Sequence, residues 1–362
     1  MPPAKKSARS KLASSHHRAK GAAARVNSPP RPGDAPKRKK DPPKTRCGTV
    51  AIVGRPNVGK STLINALIGF RLSIVTPKPQ TTRERILGVL TRAADAKAER
   101  EEAAQLVFLD TPGLHAPKNK LGTHMNVEAE EAAHDADVIV YVTEPRSAPP
   151  SESGRGRDET LERVLSIAGD RPVILAINKI DRLKDKGALI PVLEGYAKLH
   201  AFASFVPIVA AKGGEGSSSG LDRLLDEIGR LLPEGPFLFP DDELTDRPER
   251  FLAAECVREQ VILQTRDEVP YAVAVTIDEW EEPASAKAVT RIEATVHVEK
   301  EAQRKIVIGS GGERVKSIGI AARRAIEALL GRRLNLQLHV RLEESWSSDE
   351  RKLAELGYER KE

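Results

Sequence analysis

With only two cysteines in 362 residues, Cys47 and Cys256, the chain cannot build a disulfide framework or a zinc site, and its eight histidines lack metal-ligand spacing. A reducing cytoplasm fits. No apolar run approaches the roughly 18 residues of a membrane span, and no signal-peptide core opens the chain. A soluble protein is expected. From Met1 to Arg46 there is no aromatic residue, and the stretch is rich in Pro, Ala, Ser and Lys. It cannot bury enough apolar surface to offset the entropy of ordering it, so a disordered extension is expected over residues 1–45.

Acidic residues are also scarce there. Asp34 and Asp41 face fourteen basic residues, a net of +12, while the remaining 44 basic and 50 acidic residues give −6. The overall charge of +6 therefore belongs to a basic tail on an acidic body. A polybasic arm suits non-specific contact with RNA phosphates, and a solubilising low-complexity extension fits equally. The first 25 residues lack acidic groups and carry Arg, Ser and Ala, a transit-peptide composition. Pro2, Pro3 and the absence of apolar periodicity oppose an amphipathic helix, which leaves organelle import a minor alternative.

What is present is a series of short apolar strands, each ending in a chemically distinctive string. Thr49–Val53 runs into Gly54-Arg55-Pro56-Asn57-Val58-Gly59-Lys60-Ser61, followed by Thr62–Ile68 with helical spacing. This is G-x-x-x-x-G-K-S between a strand and a helix. The glycines let successive N–H groups turn toward phosphate oxygens, and the helix adds its positive end. Lys60 is placed to reach β- and γ-phosphates and Ser61 to ligate Mg²⁺. The strand Leu106–Leu109 ends in Asp110-Thr111-Pro112-Gly113, where Asp110 can hold Mg²⁺ through water and the Gly113 amide can reach a γ-phosphate. The strand Val173–Ile177 ends in Asn178-Lys179-Ile180-Asp181. The Asp181 carboxylate can accept from guanine N1 and N2, donors that adenine lacks. Asn178 would support the loop and face the base edge, with the Lys179 stem over the ring. Alone, the second string reads as an ordinary turn and the third as a helix cap. In this order, each at a strand end, they read as one guanine-nucleotide site on a doubly wound α/β domain.

These strings, with Gln80-Thr81-Thr82-Arg83-Glu84-Arg85, resemble the Era GTPase family, within the broader group that includes tRNA-modification and double-GTPase relatives. The resemblance implies that Thr81 and Thr82 lie in switch I, with Thr82 closing on Mg²⁺ and the γ-phosphate; from the residues alone the pair could equally sit in a strand. Leu114 follows Gly113 where Ras-type proteins place a water-positioning glutamine, which predicts slow intrinsic hydrolysis. Within the group Asn57 resembles a P-loop asparagine that helps hold K⁺ near the phosphates. Relatives carry Ser-Ala, whose backbone amide contacts guanine O6, where this chain has Val209-Ala210; the resemblance implies Ala210 as the donor here, with Ala211 the alternative register.

A Pro-rich, acidic stretch over residues 236–249 suits a linker between a G domain (46–235) and a smaller α+β unit (250–345). In that unit helix, two strands, helix, Gly309-Ser310-Gly311-Gly312, helix and strand follow the layout of a type II KH domain. Such domains clamp about four nucleotides of single-stranded RNA. The glycine-rich loop lets a phosphate approach the backbone, and Lys305, Arg314 and Lys316 could neutralise it, or could simply be solvated helix faces. The resemblance extends from about Arg46 through Trp346 and the Leu356-Gly357-Tyr358 ending of a helical tail (346–362). It implies GTP hydrolysis, binding near the 3′ end of 16S rRNA, a role in small-subunit maturation and peripheral association with the inner membrane; a monomeric state and no DNA partner are expected. Two other readings compete: a GTP-dependent RNA-modification partner, and an RNA module that binds nucleotide without hydrolysing it.

Overall fold

The computed structural model describes residues 45–95, 102–145, 151, 157–212, 219–283 and 289–358. The basic extension, except for Thr45, lies outside the described residues, as does the middle of the connection between Arg92 and Ala104. The first part of the chain runs β1 (Thr45–Gly54), α1 (Lys60–Ile68), β2 (Ile86–Arg92), β3 (Ala103–Asp110), α2 (Lys120–Asp135) and β4 (Val138–Thr143). It continues with α3 (Glu159–Ala168), β5 (Val173–Ile177), α4 (Leu189–Leu199), β6 (Ser204–Pro207) and α5 (Leu221–Leu231). The strands form a six-stranded sheet in the order β2-β3-β1-β4-β5-β6, with β2 antiparallel and the others parallel.

The apolar runs have no polar face because both faces of this sheet are covered. Alternation along β1 divides the core: Val50 and Ile52 pack with Leu63 and Leu67 of α1 and Leu224 and Ile228 of α5. Ala51 and Val53 pack on the other face with Ala129 of α2, Leu161 and Val164 of α3 and Tyr196 of α4. This is the doubly wound arrangement expected, with the three motif strings at one edge, beyond the carboxyl ends of β1, β3 and β5.

The Pro-rich stretch is not a free tether. Buried Gln105 on β3 accepts the N–H groups of Leu238 (2.8 Å) and Phe239 (3.0 Å), and its own amide donates to Phe239 O (2.8 Å). Further along, Val89 N–H donates to Leu244 O (2.9 Å) and Thr245 Oγ1 to Leu87 O (2.6 Å). The segment is thus strapped along the β2–β3 side of the sheet, using edge groups that would otherwise face water.

The second part comprises α6 (Glu249–Gln264), β7 (Val273–Glu281), β8 (Thr290–Val298), α7 (Glu301–Ile308), α8 (Glu313–Leu330) and β9 (Leu334–Leu342). Its sheet has the order β7-β8-β9, antiparallel then parallel. Ala253, Val257 and Val261 of α6 join Val273, Ile292, Val296, Ile318, Ala322 and Ile326 in one core, so α6 packs as part of this unit. After β9, a turn at Trp346 leads into α9 (Glu350–Glu355), and Trp346 and Leu353 bury against Leu121 and Met125 of α2. No helix among the described residues is long and apolar enough to cross a membrane.

Candidate nucleotide site and its coupling to the second domain

The loop from Gly54 to Gly59 turns the chain from β1 into α1 through residues that favour left-handed backbone. Asn57 has φ 64° and Gly59 φ 99°, and a Cβ at Gly59 would lie 2.4 Å from Asn178 Nδ2. Only glycine fits there. Lys60, the first residue of α1 and buried, donates from Nζ to the carbonyls of Gly54 and Arg55, both at 3.1 Å. Burial presses its ammonium down to about 8, against the upward pull of Asp110.

At the next residue, Ser61 Oγ lies 2.8 Å from Thr82 Oγ1, and Thr82 Oγ1 donates to Asp110 Oδ2 at 3.4 Å. Asp110 is fully buried, and its Oδ1 has no hydrogen-bond partner among the described residues. Burial raises this carboxyl above its ordinary range, opposed by nearby Ser73, Lys60, Ser61 and Thr82. An all-oxygen set with a single carboxylate, one oxygen of it unspent, fits Mg²⁺, which is held by one or two carboxylates together with substrate phosphates. No cluster of three or more His, Cys, Asp or Glu side chains suited to another metal occurs among the described residues.

Gly113 approaches the phosphate loop closely enough that a Cβ would lie 2.8 Å from Pro56 N and Cα. The residue after it, Leu114, is turned into the core with Ala51, Val53 and Ala129. Thr81 differs from its neighbour Thr82: its hydroxyl bonds to Thr76 Oγ1 (2.7 Å) and Lys78 O (2.9 Å) within its own loop. The segment from Ile74 to Thr82 and the phosphate loop together line a cavity of about 510 Å³ that also receives Thr62, Gly113 and Lys179.

A smaller cavity of about 190 Å³ adjoins, lined by Gly59, Thr62, Asn178, Lys179, Asp181, Arg182, Val209 and Ala211. Asn178 ties its walls together. Its Nδ2 donates to Val58 O (2.9 Å), and its Oδ1 accepts from Lys179 N (2.8 Å) and Ala210 N (3.0 Å). Lys179, at φ 62°, sends its ammonium to Asn57 O and to Glu144 Oε2 (3.0 Å), laying its stem across the mouth. Asp181 is exposed at the pocket wall.

The largest feature missing from the sequence reading is what surrounds Thr82. Arg83, 3% exposed, reaches into the second domain and donates to Val273 O (2.6 Å), Tyr271 O (3.0 Å) and Pro270 O (3.4 Å). Its guanidinium lies 5.5 Å from the ring of Trp346 and 6.0 Å from that of Tyr358. From the opposite direction, Arg258 of α6 donates to Thr81 O (2.6 Å), and Glu259 accepts from Val75 N (3.1 Å) and pairs with Arg71. The α2 end of the site is bridged as well, by Asn119 Nδ2 to Ser347 Oγ (2.8 Å) and by Lys120 to Glu350 (3.0 Å). Arg258 and Glu259 sit three and four residues after Glu255, a pattern that in sequence matches any solvated helix face. Their partners in the first domain lie more than 170 residues away, and no local signal reveals them.

In the second domain, Gly309 (φ 77°), Gly311 (φ 56°) and Gly312 (φ 82°) carry the chain from α7 to α8. A Cβ at Gly309 would lie 2.9 Å from Arg314 N. Lys305, Ser310, Arg314 and Lys316 are exposed around this loop, with Arg314 turned back to donate to Ile306 O (2.5 Å). Ile306 and Ile320 are partly exposed beside it.

The parallel sheet with a phosphate loop, a hydroxyl–carboxylate set and an Asn-Lys-x-Asp pocket, joined to a KH fold, defines a P-loop GTPase that carries a KH domain. Residues 49–179 match the family described as 50S ribosome-binding GTPase, and residues 268–347 match the KH domain family. GTPase Era of Geobacter metallireducens is 42% identical over 313 residues, covering 86% of this chain and 98% of the relative. GTPase Era of Xylella fastidiosa is 43% identical over 315 residues, covering 87% and 98%. Among solved structures, an Aquifex aeolicus Era variant bound to GDP·AlF4⁻ aligns with a TM-score of 0.77 at 38% identity, covering 86% of this chain and 99% of that one. Era in complex with MgGDPNP and nucleotides 1506–1542 of 16S ribosomal RNA aligns with a TM-score of 0.77 at 38% identity, covering 87% and 99%. The chain belongs to the Era GTPase family. It binds guanine nucleotide and is a GTPase, which sets aside the reading of a module that binds without hydrolysis.

The depressed Lys60 ammonium gives a direct expectation for nucleotide binding. A polyphosphate favours the charged lysine, so binding draws a proton from solution near the free protein's pKa of about 8. Calorimetry in buffers of different ionisation enthalpy is expected to register uptake of about 0.5 proton per GTP at pH 8, falling toward zero by about pH 7. No uptake at pH 8 would contradict the placement of Lys60 against the phosphates.

Proposed function

We propose that this protein is a GTP-controlled RNA-binding factor that engages the 3′ region of 16S rRNA and acts in maturation and assembly of the small ribosomal subunit. One observation carries the control element: the residues flanking Thr82, and the start of α2, are bonded directly into the KH domain and its tail. In this reading residues 46–235 are the G domain, 236–249 the connecting strap, 250–345 the KH domain and 346–362 the tail, with the 1–45 extension adding salt-sensitive RNA affinity.

Lys60 would neutralise the β- and γ-phosphates, with backbone of Gly54, Asn57, Val58, Gly59 and Thr62 around them and the Gly113 amide at the γ-phosphate. Ser61, Thr82 and Asp110 would hold Mg²⁺, which would supply positive charge against the negative charge on the phosphate oxygens. Asp181 would read guanine N1 and N2, with Asn178 and Lys179 framing the base. The Ala210 N–H, shared with Asn178 Oδ1, would meet the base carbonyl, with Val209 and Ala211 beside it. Lys60, Thr82 and Gly113 are the residues through which γ-phosphate is sensed; on hydrolysis the hold on Thr82 and Gly113 is released. Because buried Leu114 supplies no group to orient water, intrinsic turnover is slow. Asn57, whose amide donates to Pro77 O (3.3 Å), would help retain K⁺ near the phosphates; equal turnover in Na⁺ and K⁺ buffers would contradict this.

On the RNA side, Gly309, Ser310, Gly311 and Gly312 would admit a phosphate to the backbone, with Lys305, Arg314 and Lys316 neutralising it. A cytoplasmic, monomeric protein with peripheral contact at the inner membrane and no DNA partner completes the reading; fractionation and light scattering test those points. The decisive test is crosslinking of the full chain to cellular RNA followed by sequencing. Crosslinks at the 3′ end of 16S rRNA are expected, and crosslinks confined to tRNA would favour the RNA-modification reading instead.

A further inference from the structure

Among the interdomain contacts, two side chains of α6 stand out because their burial is hard to justify by stability. Arg258 and Glu259 are each 1% exposed. Breaking such buried pairs is costly, but replacing them outright with apolar side chains of similar volume is often neutral or stabilising. One guanidinium nitrogen of Arg258, Nη1, is buried without a hydrogen-bond partner among the described residues, an added cost. What the pair does achieve is geometric. Arg258 holds the carbonyl of Thr81 at 2.6 Å while Glu255 accepts from its Nε at 2.7 Å, and Glu259 holds the Val75 amide at 3.1 Å. These attachments lie at the two ends of the loop that delivers the Thr82 hydroxyl to Ser61 and Asp110. On the other side of Thr82, Arg83 is locked in its cage of carbonyls.

We propose that Arg258 and Glu259 are positioning residues for GTP hydrolysis: α6 of the KH domain fixes the backbone next to Thr82, so the G domain reaches its hydrolytic geometry only with the KH domain docked. The proposal rests on the reading of Thr82 as the residue that closes on metal and γ-phosphate. Among the described residues, the base pocket and the phosphate loop take no bond from α6, so nucleotide binding and turnover separate in a test. A misplacement of about 1 Å at a positioned group can cost about 100-fold in rate.

In the full chain, Arg258→Met keeps length and helix propensity while removing the donation to Thr81 O. The kcat for GTP is expected to fall about 10- to 100-fold, with GDP affinity within about threefold of the parent and more Mg²⁺ needed for half-maximal turnover. Arg258→Lys restores activity only in part, because a compact ammonium does not reproduce the fork that serves Glu255 and Thr81 together. In a Thr82→Ala background, Arg258→Met is expected to cause no further loss, since both act through one hydroxyl. If Arg258→Met turns over within about twofold of the parent while Thr82→Ala is impaired, the proposal is overturned and the reading of Thr82 stands. A fully active Thr82→Ala overturns that reading and the proposal with it. If Arg258→Met does not fold by circular dichroism, Arg258→Lys carries the test, with a loss of at least about threefold in kcat expected and parental kcat overturning the proposal.

Discussion

Replacing Lys60 with alanine is expected to weaken GTP binding by about 100- to 1000-fold while leaving the KH domain folded and its nucleotide-free RNA affinity unchanged. The magnitude follows from removing one partner of a buried, hydrogen-bonded charge pair, which costs about 2–5 kcal/mol. Lys60 is buried at the start of α1, held by two carbonyls of its own loop, where the following helix adds its positive end. No other residue of that loop replaces it, because Arg55 is committed to Asp158 at 3.1 Å. The KH core of Ala253, Val257, Val273 and Ile318 does not include this part of the molecule. Titration with a fluorescent GTP analogue, alongside circular dichroism, checks the outcome. Affinity within about threefold of the parent would contradict the assignment of the phosphate site.

The second large effect concerns which base is bound. Asp181→Asn is expected to weaken GTP binding by about 100-fold or more and to bring xanthosine triphosphate to comparable or higher affinity. Two hydrogen bonds to a carboxylate, each contributing about 1.5–3 kcal/mol, are lost or weakened when the acceptor pair becomes one acceptor and one donor. The new amide would donate to the C2 carbonyl of xanthine while accepting from N1–H, so the change reverses a preference instead of only eroding it. Asn178 holds the pocket walls through three backbone bonds independent of Asp181, so the site is expected to persist in the variant. Competition binding with the two nucleotides checks this. Unchanged GTP affinity would remove Asp181 from the base site.

The nucleotide side of this molecule was legible because each motif follows a short apolar strand, and parallel strands buried on both faces bring their carboxyl ends to one edge. Thr82, read through the family resemblance, lies within hydrogen-bond reach of Ser61 and Asp110. The coupling side was not legible. Arg83, Arg258 and Glu259 look like ordinary surface charges in sequence, and their burial is a property of the docked domains alone. The stretch after Gly235 reads as a tether by composition, yet Gln105, an unremarkable polar residue in an apolar strand, straps it to the sheet. Trp346 and Tyr358 were visible as an aromatic ending without a role; stacked 5.8 Å apart, they form the wall against which Arg83 is held. Net charge pointed toward RNA through a tail outside the described residues, whereas the G-x-x-G turn gives the more specific reason.

The central claim is that the state of the γ-phosphate is conveyed through the residues beside Thr82 to the KH domain. The measurement that tests it most directly is the affinity of the full chain for a single-stranded RNA from the 3′ end of 16S rRNA, taken at fixed salt with GDPNP and with GDP. Coupling between two such sites is typically about 1–3 kcal/mol, so the two affinities are expected to differ by about fivefold or more. Equal affinities with the two nucleotides, both shown to be bound, would contradict the claim.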